Sequence, residues 1–144
     1  MDGTSVIETA RGAVHEWQRD HMGHINVRAY MEFHDAACWQ FYSAIGLTPS
    51  LLRSGELRLA AVQQNISYNR ELFPGDVVAV RSGVLEAREK VLRFRHVLSN
   101  AESGEICSNC DFTVVCLDPQ TRKSRPFPET VLARARELLI PPSA

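Results

Sequence analysis

The segment VRAYMEFHDAACWQFYSAIG, from Val27 to Gly46, constrains the fold more than any other part of the sequence. Its apolar residues recur three and four positions apart, which predicts one helix of about five turns. Further apolar residues extend beyond a single face, so we expect the helix to be buried on most of its sides. Asn26 is suited to cap the start of the helix, and Gly46 is suited to the left-handed position after its end.

The sequence on either side of this helix predicts mainly strands. A short strand is expected from Gly12 to Gln18. Four longer strands should follow the helix, with turns at FPGD and NAESGE: LRLAAVQQNISYNREL, VVAVRSGVLEARE, KVLRFRHVLSN and EICSNCDFTVVCLD. LTPSLLRSGE is interpreted as a connection, and PETVLARARELL as a C-terminal helix with Pro128 near its first turn. A very apolar helix followed by an antiparallel meander predicts an α+β fold in which a curved sheet wraps around the helix.

Length and charge narrow the class of protein. A chain of 144 residues without repeats or linkers predicts a single domain, residues 1–144. The formal net charge of -1 gives no field that would attract nucleic acid or an anionic membrane. No segment has the apolar length of a signal peptide core or a membrane span, so we expect a soluble, cytoplasmic protein with reduced thiols.

The loop before the helix, RDHMGHIN, contains the residues best suited to chemistry. Asp20 precedes the helix start closely, and Gly23 allows a tight backbone path between the two. Unpaired amides near Val27 could polarise a substrate carbonyl while Asp20 attacks it or activates water, as in acyl transfer. The alternative is that Asp20 and Asn26 only form local hydrogen bonds that shape the loop.

Two histidines of the loop and two later cysteines raise the possibility of a zinc site. His21, His24, Cys107 and Cys110 have the right ligand types for four-coordinate zinc. The cysteines lie in a predicted strand, however, where residues three apart point to opposite faces. We therefore expect them to be packing residues and predict no metal.

Other polar and aromatic residues have open interpretations. His34 and Asp35 could share acid and base duties in a dehydratase, or Asp35 could simply favour the first turns of the helix. Trp17 and Trp39 could line a pocket or pack in the core. Arg93 and Arg95 project from one strand face and could bind a phosphate-bearing ligand, or they could be solvated strand charges.

The stretch WQRDHMGHINVRAYMEFHDAA resembles the signature of the 4-hydroxybenzoyl-CoA thioesterase-like branch of the hotdog-fold acyl-CoA thioesterases. The matching positions are Asp20, Gly23, His24, Asn26 and Tyr30. The resemblance continues through SYNRELFPGDVVAV and through DPQTRKSRPFP, which looks like the closing strand and exit of that family. It extends over about residues 14–128, most of the chain.

This resemblance implies a long helix wrapped by an antiparallel sheet of about five or six strands, and paired subunits with active sites at their interface, in a homodimer or homotetramer. It implies that Asp20 acts as nucleophile or general base on a small or medium acyl-CoA, and that the amide near Val27 polarises the thioester carbonyl. Coenzyme A is then part of the substrate, and no cofactor or metal is implied. The expected catalytic residues are Asp20, Gly23, His24, Asn26 and Val27; the expected substrate-binding residues are Trp17, Tyr30, Asp35, Gln63, Arg93 and Arg95.

The sequence departs from the family pattern at three positions. Val27 stands where relatives often have a second Asn, and Asp35 where many have Glu. Gln63 replaces the Glu of a subgroup associated with betainyl-CoA hydrolysis, so that substrate is not transferred. Two alternative functions stay open: a hotdog dehydratase or hydratase using His24 or His34 with Asp35, and an acyl-CoA-binding module without catalysis.

Overall fold

The computed structural model describes residues 6–23 and 25–141. In order along the chain the elements are β1 (Ile7–Ala13), a 3₁₀ turn (Glu16–Gln18), α1 (Val27–Ala44), α2 (Pro49–Ser54), β2 (Arg58–Tyr68), β3 (Val77–Ala87), β4 (Val91–Asn100), β5 (Ile106–Leu117) and α3 (Glu129–Glu137). The four long strands lie where the sequence predicts them. Within the described residues, no helix has the length and apolar character that crossing a membrane requires.

The five strands form one antiparallel sheet in the order β1-β3-β4-β5-β2, so β1 and β2 are its edges. The side chains of β4 alternate between its two faces: Phe94 and His96 are fully buried, whereas Arg93 and Arg95 lie on the opposite face and are partly exposed. The buried face packs against α1, and the ring of Phe94 stacks on Phe41 of that helix with centroids 4.4 Å apart. The predicted α+β hotdog arrangement is confirmed.

The helix α1 begins and ends as its sequence predicts. The Asn26 side chain accepts a hydrogen bond from the N–H of Arg28 at 2.8 Å, which caps the first turn. Gly46 follows the helix end with a φ of 96°, a left-handed conformation that favours glycine. The expectation of burial on most sides is wrong for the single chain, because Trp39 is 56 % exposed and Val27 is 58 % exposed.

Two local predictions are also wrong. The first strand is Ile7–Ala13 rather than residues 12–18, because the chain leaves the edge of β3 after Ala13 and turns at Glu16–Gln18. The supposed connection LTPSLLRSGE contains the short helix α2. The Thr48 side chain caps this helix, Pro49 occupies its first turn, and Gly55 closes it with a φ of 79°.

The residues after α3 return to the sheet and continue the edge of β3 beyond β1. The N–H of Val84 donates to the carbonyl of Leu138 at 2.7 Å, and the N–H of Ile140 donates to the carbonyl of Val84 at 2.8 Å. Gly83 lies under this segment. A Cβ atom on Gly83 would lie 2.5 Å from Cγ1 of Ile140 and 3.0 Å from Cγ1 of Val6, so no side chain fits without displacement.

We therefore expect Gly83→Ala to lower the free energy of unfolding by about 1–3 kcal/mol, as overpacked substitutions do. Urea denaturation monitored by circular dichroism would measure the change. In an Ile140→Ala background, where the colliding atoms are missing, the same substitution should cost clearly less. An equal cost in both backgrounds would contradict the packing explanation.

Candidate functional site

Hydrogen bonds hold together the two ends of the loop that precedes α1. The N–H of Asn26 donates to the carbonyl of Gln18 at 3.0 Å, and Arg19 and Ile25 form a single antiparallel bridge. The N–H of Ile25 also donates to the carbonyl of Leu72 at 3.0 Å, which attaches the loop to the segment after β2. The loop is therefore a closed turn anchored directly at the start of the helix.

Asp20 lies in this closed turn and is partly exposed. Its Oδ1 accepts a hydrogen bond from the N–H of Met22 at 2.8 Å, and its carbonyl accepts one from Gly23 at 3.1 Å. Gly23 has a φ of 90°, which explains why glycine is needed there. The turn thus fixes the orientation of Asp20 through one of its two carboxylate oxygens. His24, an expected catalytic residue, lies outside the described residues.

The first turn of α1 contains one amide without an acceptor among the described residues. Asn26 accepts from two of the first amides, with its side chain from Arg28 at 2.8 Å and with its carbonyl from Ala29 at 2.9 Å. No described residue accepts a hydrogen bond from the N–H of Val27, and Val27 is exposed. This amide lies at the positive end of a helix of 18 residues, so it can polarise a carbonyl oxygen.

The other expected substrate-binding residues are spread over the surface. Trp17 is 73 % exposed beside the loop, and Asp35 and Gln63 are exposed on α1 and β2. Tyr30 is buried, and its hydroxyl donates to the carbonyl of Arg70 at 2.8 Å. Burial raises the pKa of Tyr30 to about 12, so it remains protonated. In the single chain, Tyr30 therefore joins α1 to the segment after β2.

Arg93 and Arg95 lie on the sheet face opposite α1 and both have acidic partners. Arg95 makes two hydrogen bonds with Asp111, at 2.7 and 3.0 Å, and Nη1 of Arg93 is 3.6 Å from a carboxylate oxygen of Glu86. The hydrogen bonds with Asp111 raise the pKa of Arg95. A phosphate group would have to compete with these carboxylates.

His34 and Asp35 do not form an acid-base pair. His34 is completely buried, whereas Asp35 is exposed on another side of α1. The Nε2 of His34 lies 2.9 Å from the Ser108 hydroxyl, which itself donates to the carbonyl of Ser67. Because that hydroxyl has only one proton, His34 must be the donor to Ser108. The dehydratase arrangement built on these two residues is therefore absent from the chain.

A second buried histidine stacks on the first. His96 lies with its ring centroid 6.2 Å from that of His34, and its Nδ1 is 2.5 Å from the Ser82 hydroxyl. Its Nε2 is 3.3 Å from Sγ of Cys38. Burial lowers the pKa of His34 to about 4. Burial, together with repulsion from the protonated form of His34, lowers the pKa of His96 to about 3. Both rings are therefore neutral near pH 7.

The cysteines considered for zinc lie apart. Cys110 is buried in the core cluster around Phe41 and Phe94, whereas Cys107 is buried in the other cluster, around Tyr30. Among the residues that the structure describes, no three His, Cys, Asp or Glu side chains are placed to hold a metal ion.

A cleft of about 190 Å³ lies beside the start of α1. The sequence indicates Trp17 and Asn26 at this position but gives no reason to select Gln18, which is buried at the cleft. Gln18 can be recognised as a cleft residue only from the folded loop. The residues that line the cleft include Trp17, Gln18, Arg19, Asn26, Arg28 and Glu32.

The sequence and the fold both match known proteins. Residues 14–135 match the family model of the thioesterase-like superfamily. No curated relative matches the chain in sequence.

Three solved structures share the fold over nearly the whole chain. A Staphylococcus aureus protein in complex with CoA has a TM-score of 0.83 and 21 % identity, over 96 % of this chain and 87 % of that one. A predicted thioesterase from Bacillus stearothermophilus has a TM-score of 0.82 and 17 % identity, over 96 % and 99 %. A 1,4-dihydroxy-2-naphthoyl-CoA thioesterase from Synechocystis has a TM-score of 0.81 and 19 % identity, over 92 % and 97 %.

Proposed function

Because the chain belongs to the thioesterase-like superfamily, we propose that it hydrolyses a small or medium acyl-CoA to the free acid and coenzyme A. The observation that carries this proposal is the N–H of Val27 at the start of α1, which no described residue accepts, next to the closed turn that holds Asp20. Solved proteins of the same fold include one in complex with CoA and one named as a CoA thioesterase, which supports this substrate class.

In the proposed mechanism, the thioester carbonyl oxygen accepts a hydrogen bond from the N–H of Val27. Negative charge that develops on this oxygen is stabilised by the amide and by the helix dipole. A carboxylate oxygen of Asp20 attacks the carbonyl carbon, the carbon–sulfur bond breaks, and the coenzyme A thiolate leaves with the electron pair. Water then hydrolyses the acyl-Asp anhydride. Alternatively, Asp20 accepts a proton from the water that attacks the thioester directly.

The proposal is tested by incubating the protein with short, branched and aromatic acyl-CoAs and measuring free thiol. We expect thiol release from at least one of them. An enoyl-CoA hydratase would change the enoyl absorbance without releasing thiol. A non-catalytic binding module would raise the melting temperature with acyl-CoA but release no thiol. Either of these last two results would contradict the proposal.

We also propose that two copies of the chain pair through the side of the molecule formed by β2 and α1. The outer edge of β2 has no neighbouring strand within the described chain, and Val62 on this strand is 60 % exposed. Trp39 of α1 is exposed as well, so pairing would cover apolar surface on both elements. This arrangement would bring Asp35 and Gln63 of one copy toward the other copy.

Light scattering after size exclusion should therefore give at least twice the chain mass of 16.2 kDa. Val62→Asp should shift the protein toward the monomer and lower thioesterase activity, because a charge on an edge strand opposes pairing. Val77→Asp on β3, at a position that is 48 % exposed, is the matched control and should stay assembled. A fully active wild-type monomer would refute the interface.

A further inference from the structure

Gln18 lines the cleft beside the start of α1, and its side-chain N–H groups have no acceptor among the described residues. The residue is only 7 % exposed, and its Oε1 accepts a hydrogen bond from the N–H of His15 at 2.8 Å. This bond distinguishes the two ends of the amide, because only the oxygen can accept. Nε2 has no acceptor among the described residues, and it is not among their fully buried unpaired atoms. A donor in this position requires an acceptor from solvent or from a ligand.

The cleft is lined mainly by polar side chains, together with one indole, and its charged residues lie close to residues of opposite charge. The indole of Trp17 is held in place by stacking on His15, with centroids 5.6 Å apart, although it is 73 % exposed. The two arginines at the cleft face nearby acids: Arg19 is 2.6 Å from a Glu16 oxygen, and Arg28 is 4.0 Å from one of Glu32. These charges balance, so the cleft has no net charge that would select a phosphate.

On the basis of the thioesterase function proposed above, we propose that this cleft holds the pantetheine arm of coenzyme A and that Nε2 of Gln18 donates to its first amide carbonyl. Gln18 is adjacent to the site of reaction, since its carbonyl accepts from the N–H of Asn26, the residue before Val27, at 3.0 Å. In pantetheine, only a short ethylene spacer separates the sulfur from this amide. A thioester polarised at Val27 therefore brings the amide close to Gln18.

The first arm of the test uses the wild-type protein and one acyl group on three thiols: coenzyme A, N-acetylcysteamine and ethanethiol. N-acetylcysteamine keeps the first amide of the pantetheine arm, and ethanethiol has none. We expect kcat/KM for the N-acetylcysteamine thioester to exceed that for the ethanethiol thioester at least about tenfold, the effect of one buried hydrogen bond. Equal values would overturn the proposal.

The second arm uses Gln18→Glu, which keeps an oxygen for the N–H of His15 but replaces the donor by a carboxylate oxygen. We expect kcat/KM to fall about tenfold for the coenzyme A and N-acetylcysteamine thioesters, and to stay within about twofold for the ethanethiol thioester. Gln120→Glu, the same change at an exposed position after β5, should alter none of the three.

The possible failures can be distinguished. If the wild-type protein releases no thiol from any of the thioesters, the proposed thioesterase function is wrong and this inference falls with it. If all three are hydrolysed but Gln18→Glu slows them equally, Gln18 only supports the loop, and the pantetheine assignment is overturned. If the variant does not fold, equal values for the amide and ethanethiol thioesters in the wild-type protein would still overturn the proposal.

Discussion

Replacing Asp20 by Asn is expected to lower kcat for acyl-CoA hydrolysis by about 10³-fold, or about 4 kcal/mol in activation free energy. The substitution replaces the carboxylate that attacks the thioester, or that accepts a proton from water, by a neutral amide. It keeps an oxygen that can accept from the N–H of Met22, the bond that orients Asp20 at 2.8 Å. The loop should therefore keep its shape, and the loss should reflect chemistry.

Free-thiol release at saturating acyl-CoA measures this effect, and circular dichroism checks the fold. Asp118→Asn is the matched control, because Asp118 accepts from the N–H groups of Gln120 and Thr121, both at 2.9 Å, in a similar turn after β5. It should leave kcat unchanged. Full activity of Asp20→Asn would remove Asp20 from the mechanism. In the wild type, an initial burst of coenzyme A would favour an acyl-Asp anhydride over general-base catalysis.

The parts of the fold that could be predicted are those with a strong local signal. The periodicity of α1, the cap at Asn26 and the alternation along β4 each depend on near neighbours in sequence, and all three are observed. The start of β1 could not be placed in the same way. Its bounds depend on pairing with β3, which lies far along the chain, and on the turn that separates it from α1.

The candidate site was predictable to a smaller extent. The sequence indicates Asp20 and the amide of Val27 because a helix start and a nearby acid can be recognised locally. Gln18 could not be identified, since its burial results from closure of the whole loop. For His34, whose pairing with Asp35 the sequence leaves open, a local signal for the core position is present. His34 is four residues from Tyr30 and seven from Phe41, on the face that packs in the core.

The buried histidines should make the protein sensitive to mild acid. The pKa of His34 is lowered to about 4 and that of His96 to about 3, compared with 6.5 in the unfolded chain. The unfolded state therefore binds more protons, and stability rises with pH in this window. Above pH 6.5 the histidines are mostly neutral in both states, so they do not reduce the free energy of unfolding. Below pH 6.5 this free energy decreases as the pH falls toward 4. From pH 7.5 to pH 5, each histidine should lower the free energy of unfolding by about 2 kcal/mol, and the pair by about 4 kcal/mol.

Urea denaturation at several pH values would measure this loss, and substitution of one histidine separates the contributions. His34→Gln keeps a side-chain N–H that can donate to Ser108, but it removes one titrating group. Its slope of unfolding free energy against pH, between 5 and 6, should be smaller than that of the wild type by about 1.2 kcal/mol per pH unit. Gln120→Ala, which removes no titrating group at an exposed position, should leave the slope unchanged. An unchanged slope in His34→Gln would mean that His34 can bind its proton in the folded state, which the unpaired Nδ1 and complete burial of this ring oppose.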